Sequence, residues 1–142
     1  MVKYPDRNAK KEIVRAIQEA ERLTSGEIRV HLKKKCKDDV FWEAKKVFTG
    51  LKMHRTKERN GVLIFVAWGS RRFAILGDDG IHRQVGDGFW NVTRDRMAAH
   101  FSKGEIKEGI VAGVRSVGEK LKQHFPAKSE DKDELPDTLT ES

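Results

Sequence analysis

Only one cysteine stands in this chain, at position 36, so no internal disulfide can brace the fold. That scarcity fits a reducing, cytoplasmic setting. No apolar run approaches the ~20 residues needed to cross a bilayer, so no membrane span is expected. The opening residues Met1-Val2-Lys3-Tyr4-Pro5-Asp6 lack the apolar segment of a secretory leader.

The familiar catalytic motifs are missing as well. No glycine-rich run precedes a Lys-Ser or Lys-Thr pair, which excludes a phosphate-binding P-loop, and no G-x-S-x-G elbow is present. A cysteine phosphatase loop begun at Cys36 would need an arginine at position 42, where Trp42 stands. His31, His54, His82, His100 and His124 have no metal-ligand spacing. Cys36 lies among Lys33, Lys34, Lys35 and Lys37, which favour a thiolate. Its plain reading is still an exposed thiol without a task.

Charge is abundant: 36% of the residues are charged, against 37% hydrophobic, and the net charge is +7. It is unevenly spread. Residues 127–142 hold two lysines and six acids, which leaves the first 126 residues at +11. A basic body suits a polyanion, either nucleic acid or an anionic lipid surface; alternatively, the acidic tail screens it. Lys33, Lys34, Lys35 and Lys37 with Trp42 form a basic–aromatic patch of the kind such a partner needs.

The 142 residues suffice for one domain with one core. Residues 6–24 read as a helix, with Ala9, Ile13, Ala16, Ile17, Ala20 and Leu23 on one face. Ile28, Val30 and Leu32 alternate with polar residues, as in a half-buried strand. Asp38 or Asp39 caps a helix to residue 51, whose apolar face is Phe41, Ala44, Val47, Phe48 and Leu51. The unbroken run Val62-Leu63-Ile64-Phe65-Val66-Ala67-Trp68 reads as a central strand buried on both sides. Gly69-Ser70-Arg71 turns the chain into a returning strand, 72–76.

A third helix starts near Asp87 or Gly88, with Phe89, Thr93, Met97 and Phe101, or their neighbours Trp90 and His100, inward. A fourth carries Ile106, Ile110, Val114, Val117 and Leu121, with Gly109 and Gly113 allowing close approach to the sheet. Pro126 ends the fold. The order α-β-α-β-β-α-α gives an α/β protein: a small mixed sheet with helices on both faces, an α/β/α sandwich. Residues 1–126 form a single domain, and 127–142 an acidic, flexible tail.

The stretch Phe73–Trp90, "FAILGDDGIHRQVGDGFW", carries two acidic–glycine clusters. Asp78 and Asp79 follow the returning strand, whose end lies beside Asn60-Gly61. A first strand parallel to the second brings Glu27 to that same end. Carboxylates of Glu27, Asp78, Asp79 and Asp87 and the amide of Asn60 then offer oxygens to a hard cation, Ca²⁺ more readily than Mg²⁺. The plainer alternative is an acidic turn at Asp78-Asp79-Gly80 and a helix cap at Asp87. Asp131-Lys132-Asp133 resembles the start of an EF-hand loop but lacks the required glycine.

"SGEIRVHL" (25–32), "NGVLIFVAW" (60–68), the stretch 73–90 and "HFSKGEIKEGIVAGVRSVGEKL" (100–121) together resemble the TPM domain family, over roughly residues 10–125. That family includes thylakoid-lumen proteins of the photosystem repair cycle and stand-alone bacterial members. The resemblance implies an α/β sandwich and divalent-metal binding, most often Ca²⁺, through acidic loops at the sheet edge. A stand-alone member of this kind is expected to act through a protein partner. The resemblance also implies, as an alternative, a metal-dependent acid phosphatase; in this chain Asp78 or Asp79 would orient metal and water and Arg83 would meet phosphate.

Overall fold

The computed structural model describes residues 4–128 and 139–142. Helix α1 (Arg7–Glu21) is capped by Asp6, whose side chain accepts from the Ala9 N–H, and it buries Ile13, Ala16, Ile17 and Ala20. Strand β1 (Glu27–Lys33) leads through a loop to α2 (Val40–Gly50), which is capped by Asp39. A 3-10 turn, Met53–Arg55, precedes β2 (Gly61–Ala67). The hairpin returns as β3 (Arg72–Gly77). A short helix α3 (Asp79–His82) and a 3-10 turn, Asp87–Trp90, lead into α4 (Asn91–Phe101) and α5 (Ile106–His124).

The mixed sheet has the order β3-β2-β1-β4, in which β4 is Leu139–Glu141. Strands β1 and β2 are parallel and β2 and β3 antiparallel, as the sequence order requires. One sheet face offers Ile28, Val30, Leu32, Val62, Ile64 and Val66 to a core completed by α1, α4 and α5. The other offers Leu63, Phe65, Ala67 and Ala74 to Ala44 and Phe48 of α2 and to Met53. The α/β/α sandwich is therefore present, and β2 is buried throughout.

Four expectations change in detail. Strand β1 is not half-buried: Glu27, Arg29 and His31 are buried too, Arg29 reaching the Leu51 carbonyl and the His31 ring lying against Phe65, Thr140 and Ser142. The tail is not uniformly loose. Residues 139–141 pair parallel with β1, Val30 opposite Leu139 and His31 opposite Thr140, which covers an otherwise open strand edge. The intervening residues 129–138, including the EF-hand-like segment, lie outside the described residues. Two apolar residues expected inside are exposed: Leu23, beyond the end of α1, at 41%, and Phe41 at 46%, while Ala44, Val47 and Phe48 supply the inward face of α2. Finally, Gly109 and Gly113 admit α4 rather than the sheet. A Cβ at Gly113 would lie 2.5 Å from the Met97 sulfur, and one at Gly109 2.3 Å from the Phe101 ring.

Candidate functional site

Strand register builds the acidic corner. Glu27 stands opposite Gly61, and the Asp78 N–H donates to the Gly61 carbonyl over 2.9 Å, so Glu27, Gly61 and Asp78 form one row at one end of the sheet. Met53 packs over Gly61 in the middle of that row, its carbonyl oxygen 3.2 Å from where a Cβ would sit. Glu27 and Asp78 are both buried.

Asp78 is the centre of the corner. Its carboxylate accepts from Arg59 Nε at 2.7 Å and Nη2 at 2.9 Å, a two-pronged ion pair, and from the Asp79 N–H at 2.8 Å as the cap of α3. Asp78's hydrogen bonds, then its charge, raise the Arg59 guanidinium above its ordinary pKa. The Asp78 side chain is 5% exposed and that of Arg59 39%, so the anion is inside and its counter-charge faces water. Arg59 holds a left-handed backbone, φ 53°. Gly80 is required beside it, since a Cβ there would meet the Glu58 carbonyl oxygen at 2.1 Å. Asp79 is open to solvent, with only a 3.4 Å approach to Arg59 Nη2.

Asn60 turns to a neighbouring group. Its Nδ2 donates to Ser25 Oγ at 3.2 Å and Glu58 Oε2 at 3.4 Å, while its Oδ1 is buried without a hydrogen-bond partner. Glu58 accepts from Ser25 Oγ at 2.7 Å and Lys128 Nζ at 2.8 Å. Lys128 first, then Ser25, holds its carboxyl below the usual range. The Thr24 hydroxyl donates to the Phe125 carbonyl, which ties the exit of α5 to this corner. Asp87 is exposed in its 3-10 turn and does not cap α4.

The structure thus brings Glu27, Asn60, Asp78 and Asp79 to one end of the sheet, while Asp87 stands exposed in the 3-10 turn beyond α3. Among the described residues, no three carboxylate, imidazole or thiol groups are gathered to hold a metal. The oxygens fit a hard cation in kind, but Arg59 already holds the position beside Asp78. Sequence reasoning missed Arg59. Its only signal was an arginine immediately before Asn60.

The basic–aromatic residues lie at the other end. Trp42 is 57% exposed, with Lys46 Nζ 5.6 Å from its ring. Lys34 lies over Trp68 and Lys33 pairs with Glu43 at 3.5 Å. Cys36, expected exposed, is buried, its thiol donating to the Asp38 carbonyl.

A four-stranded mixed sheet between α2 on one face and α1, α4 and α5 on the other, with charged loops at both ends, defines the class of this protein. The TPM domain model matches residues 6–120, and the chain belongs to that family. It is similar to the BA42 protein of the psychrophilic bacterium Bizionia argentinensis, known by NMR, at 46% identity and a TM-score of 0.92, covering 99% of this chain and 97% of that one. The N-terminal domain of the cg2496 protein of Corynebacterium glutamicum shares the fold at a TM-score of 0.63 and 14% identity, covering 94% of this chain and 78% of that one. A search of curated proteins found no match. Among the described residues, no helix is long and apolar enough to cross a membrane.

Proposed function

We propose that this chain is a stand-alone TPM binding module that acts through a protein partner and takes a divalent cation, Ca²⁺, at the Asp78–Asp79 corner in competition with Arg59. One observation carries this reading. A buried carboxylate is neutralised by a guanidinium that is itself 39% exposed. Asp79 stands next to it, with its carboxylate already open. Asp78 and Asp79 would hold the ion, which would supply positive charge in place of Arg59. The reading is one of binding rather than turnover.

Titration of the full chain with Ca²⁺, followed by backbone NMR and thermal melting, tests it. Shifts should centre on residues 77–80. Arg59→Gln should bind Ca²⁺ more tightly than the parent and gain more in melting temperature, because its competitor is gone. Asp79→Ala should bind less. If neither parent nor Arg59→Gln responds, the corner is a structural ion pair and the acidic-turn reading holds.

A further inference from the structure

The opposite end of the sheet presents cations and aromatic rings that the acidic corner does not use. The loop after β1 is stitched to the β2–β3 hairpin. The Trp68 N–H donates to the Lys33 carbonyl at 3.0 Å and the Gly69 N–H to that of Lys34 at 2.7 Å. The Cys36 N–H donates to Ser70 Oγ at 2.9 Å, and Arg72 Nη1 to the Asp38 carbonyl at 3.2 Å. Gly69 is jammed against Lys34, whose carbonyl oxygen would lie 2.6 Å from a Cβ. The loop, the hairpin and the first turn of α2 are therefore one platform rather than separate loops.

Its surface is basic. Residues 33–46 with Arg71 and Arg72 contain eight basic and three acidic side chains. Two of the acids are occupied: Asp39 caps α2, and Glu43 meets Lys33. Lys35, Lys37, Lys45, Lys46, Arg71 and Arg72 are exposed. Between them stand Phe41 at 46% and Trp42 at 57% exposure, two large apolar rings that the core leaves out.

We propose that this platform docks on an anionic membrane surface, with Phe41 and Trp42 entering the headgroup boundary and the surrounding lysines and arginines meeting lipid phosphates. The charge complements such a surface, and a helix face that combines aromatic rings with long cationic side chains is what interfacial helices present. Single-stranded nucleic acid is the lesser fit. Successive residues of a helix point about 100° apart, so the Phe41 and Trp42 rings do not form the tandem stacking surface that consecutive bases need. This inference is independent of the cation reading, since it uses neither Asp78 nor Arg59.

Co-sedimentation of the full chain with phosphatidylcholine vesicles, with and without phosphatidylglycerol, tests it. Binding should require phosphatidylglycerol, weaken with salt, and move Trp emission to the blue. Each lysine removed should lower partitioning roughly fivefold, and Lys35→Glu/Lys37→Glu should lower it further. Phe41→Ser/Trp42→Ser, at exposed positions, should also reduce it while leaving the melting temperature in place. Lack of binding to anionic vesicles overturns the proposal, as does binding that neither double variant changes. If a single-stranded oligonucleotide binds, loses affinity in the same variants, and the vesicles do not bind, the patch belongs to nucleic acid and the membrane assignment falls.

Discussion

The two ends of the sheet handle charge in opposite ways. At the Asp78 end, charges are answered from within: Arg59 meets Asp78, and Ser25, Asn60 and Lys128 surround Glu58. At the hairpin end the backbone is also well bonded, yet the side chains face solvent, and among the described residues only Lys33 of its cations pairs with an acid, Glu43. Both ends are made close-fitting by a glycine against a carbonyl, Gly80 on Glu58 and Gly69 on Lys34. The lesson is that order of the backbone and satisfaction of the side chains are separate properties. The first end spends its charges on the fold. The second leaves its charges facing solvent.

Mutations at the acidic end should therefore have the largest effects, and the order of two of them sharpens the contrast. Asp78→Ala loses charged hydrogen bonds and a helix cap, and should cost ~1.5–3 kcal/mol in urea unfolding at neutral pH. Arg59→Ala should cost more, although Arg59 is the more exposed partner, because it leaves an uncompensated carboxylate buried. The reverse order would mean that Asp78 is solvated in the folded protein.

The next effect in size concerns the edge between the two ends. Removal of residues 139–142 exposes one side of β1 and should cost about 2 kcal/mol. His31 reports on the same contact. Its Nδ1 lies 2.7 Å from Thr140 Oγ1 and its Nε2 2.8 Å from Ser142 Oγ, and the ring stacks on Phe65. Burial, then Lys33, pushes its pKa down. The unfolded chain thus takes up the proton first, and stability should fall as pH drops through the ordinary histidine range near ~6.5. The slope should flatten in His31→Gln. If it stays the same there, another group governs this pH range.

The smallest effect belongs to the hairpin end. Lys35→Glu/Lys37→Glu should change stability by no more than ~0.5 kcal/mol, as exposed substitutions do. A larger loss would show that this end, too, uses its charges to hold the fold.

The apolar framework was legible because it is periodic. Val62 to Ala67 announced a strand buried on both faces, and Ile106, Ile110, Val114, Val117 and Leu121 announced α5, all five being buried. Glu27, Arg29 and His31 were legible only as polar positions of a half-buried strand. The partners that allow His31 inside are more than 100 residues away, at Thr140 and Ser142, and local pattern carries no information about them. Strand β4 was missed for the related reason that three residues are too few to show alternation. In the candidate site, topology brought Glu27, Asn60, Asp78 and Asp79 to one end of the sheet, as expected. The counter-charge was not legible, because Arg59 reaches Asp78 from a left-handed residue in a polar linker, a conformation that arginine rarely adopts.

The distant pairing of β4 also sets an order of assembly. The hydrogen bond between His31 and Thr140 joins residues 109 apart, whereas β2 and β3 close through a short hairpin. Closing the longer loop costs more entropy before any contact repays it. Strand β4 should thus be the last piece to join and the first to leave. The Ser142 amide, which donates to the Leu32 carbonyl, should exchange its hydrogen with solvent well before the amides between β1 and β2.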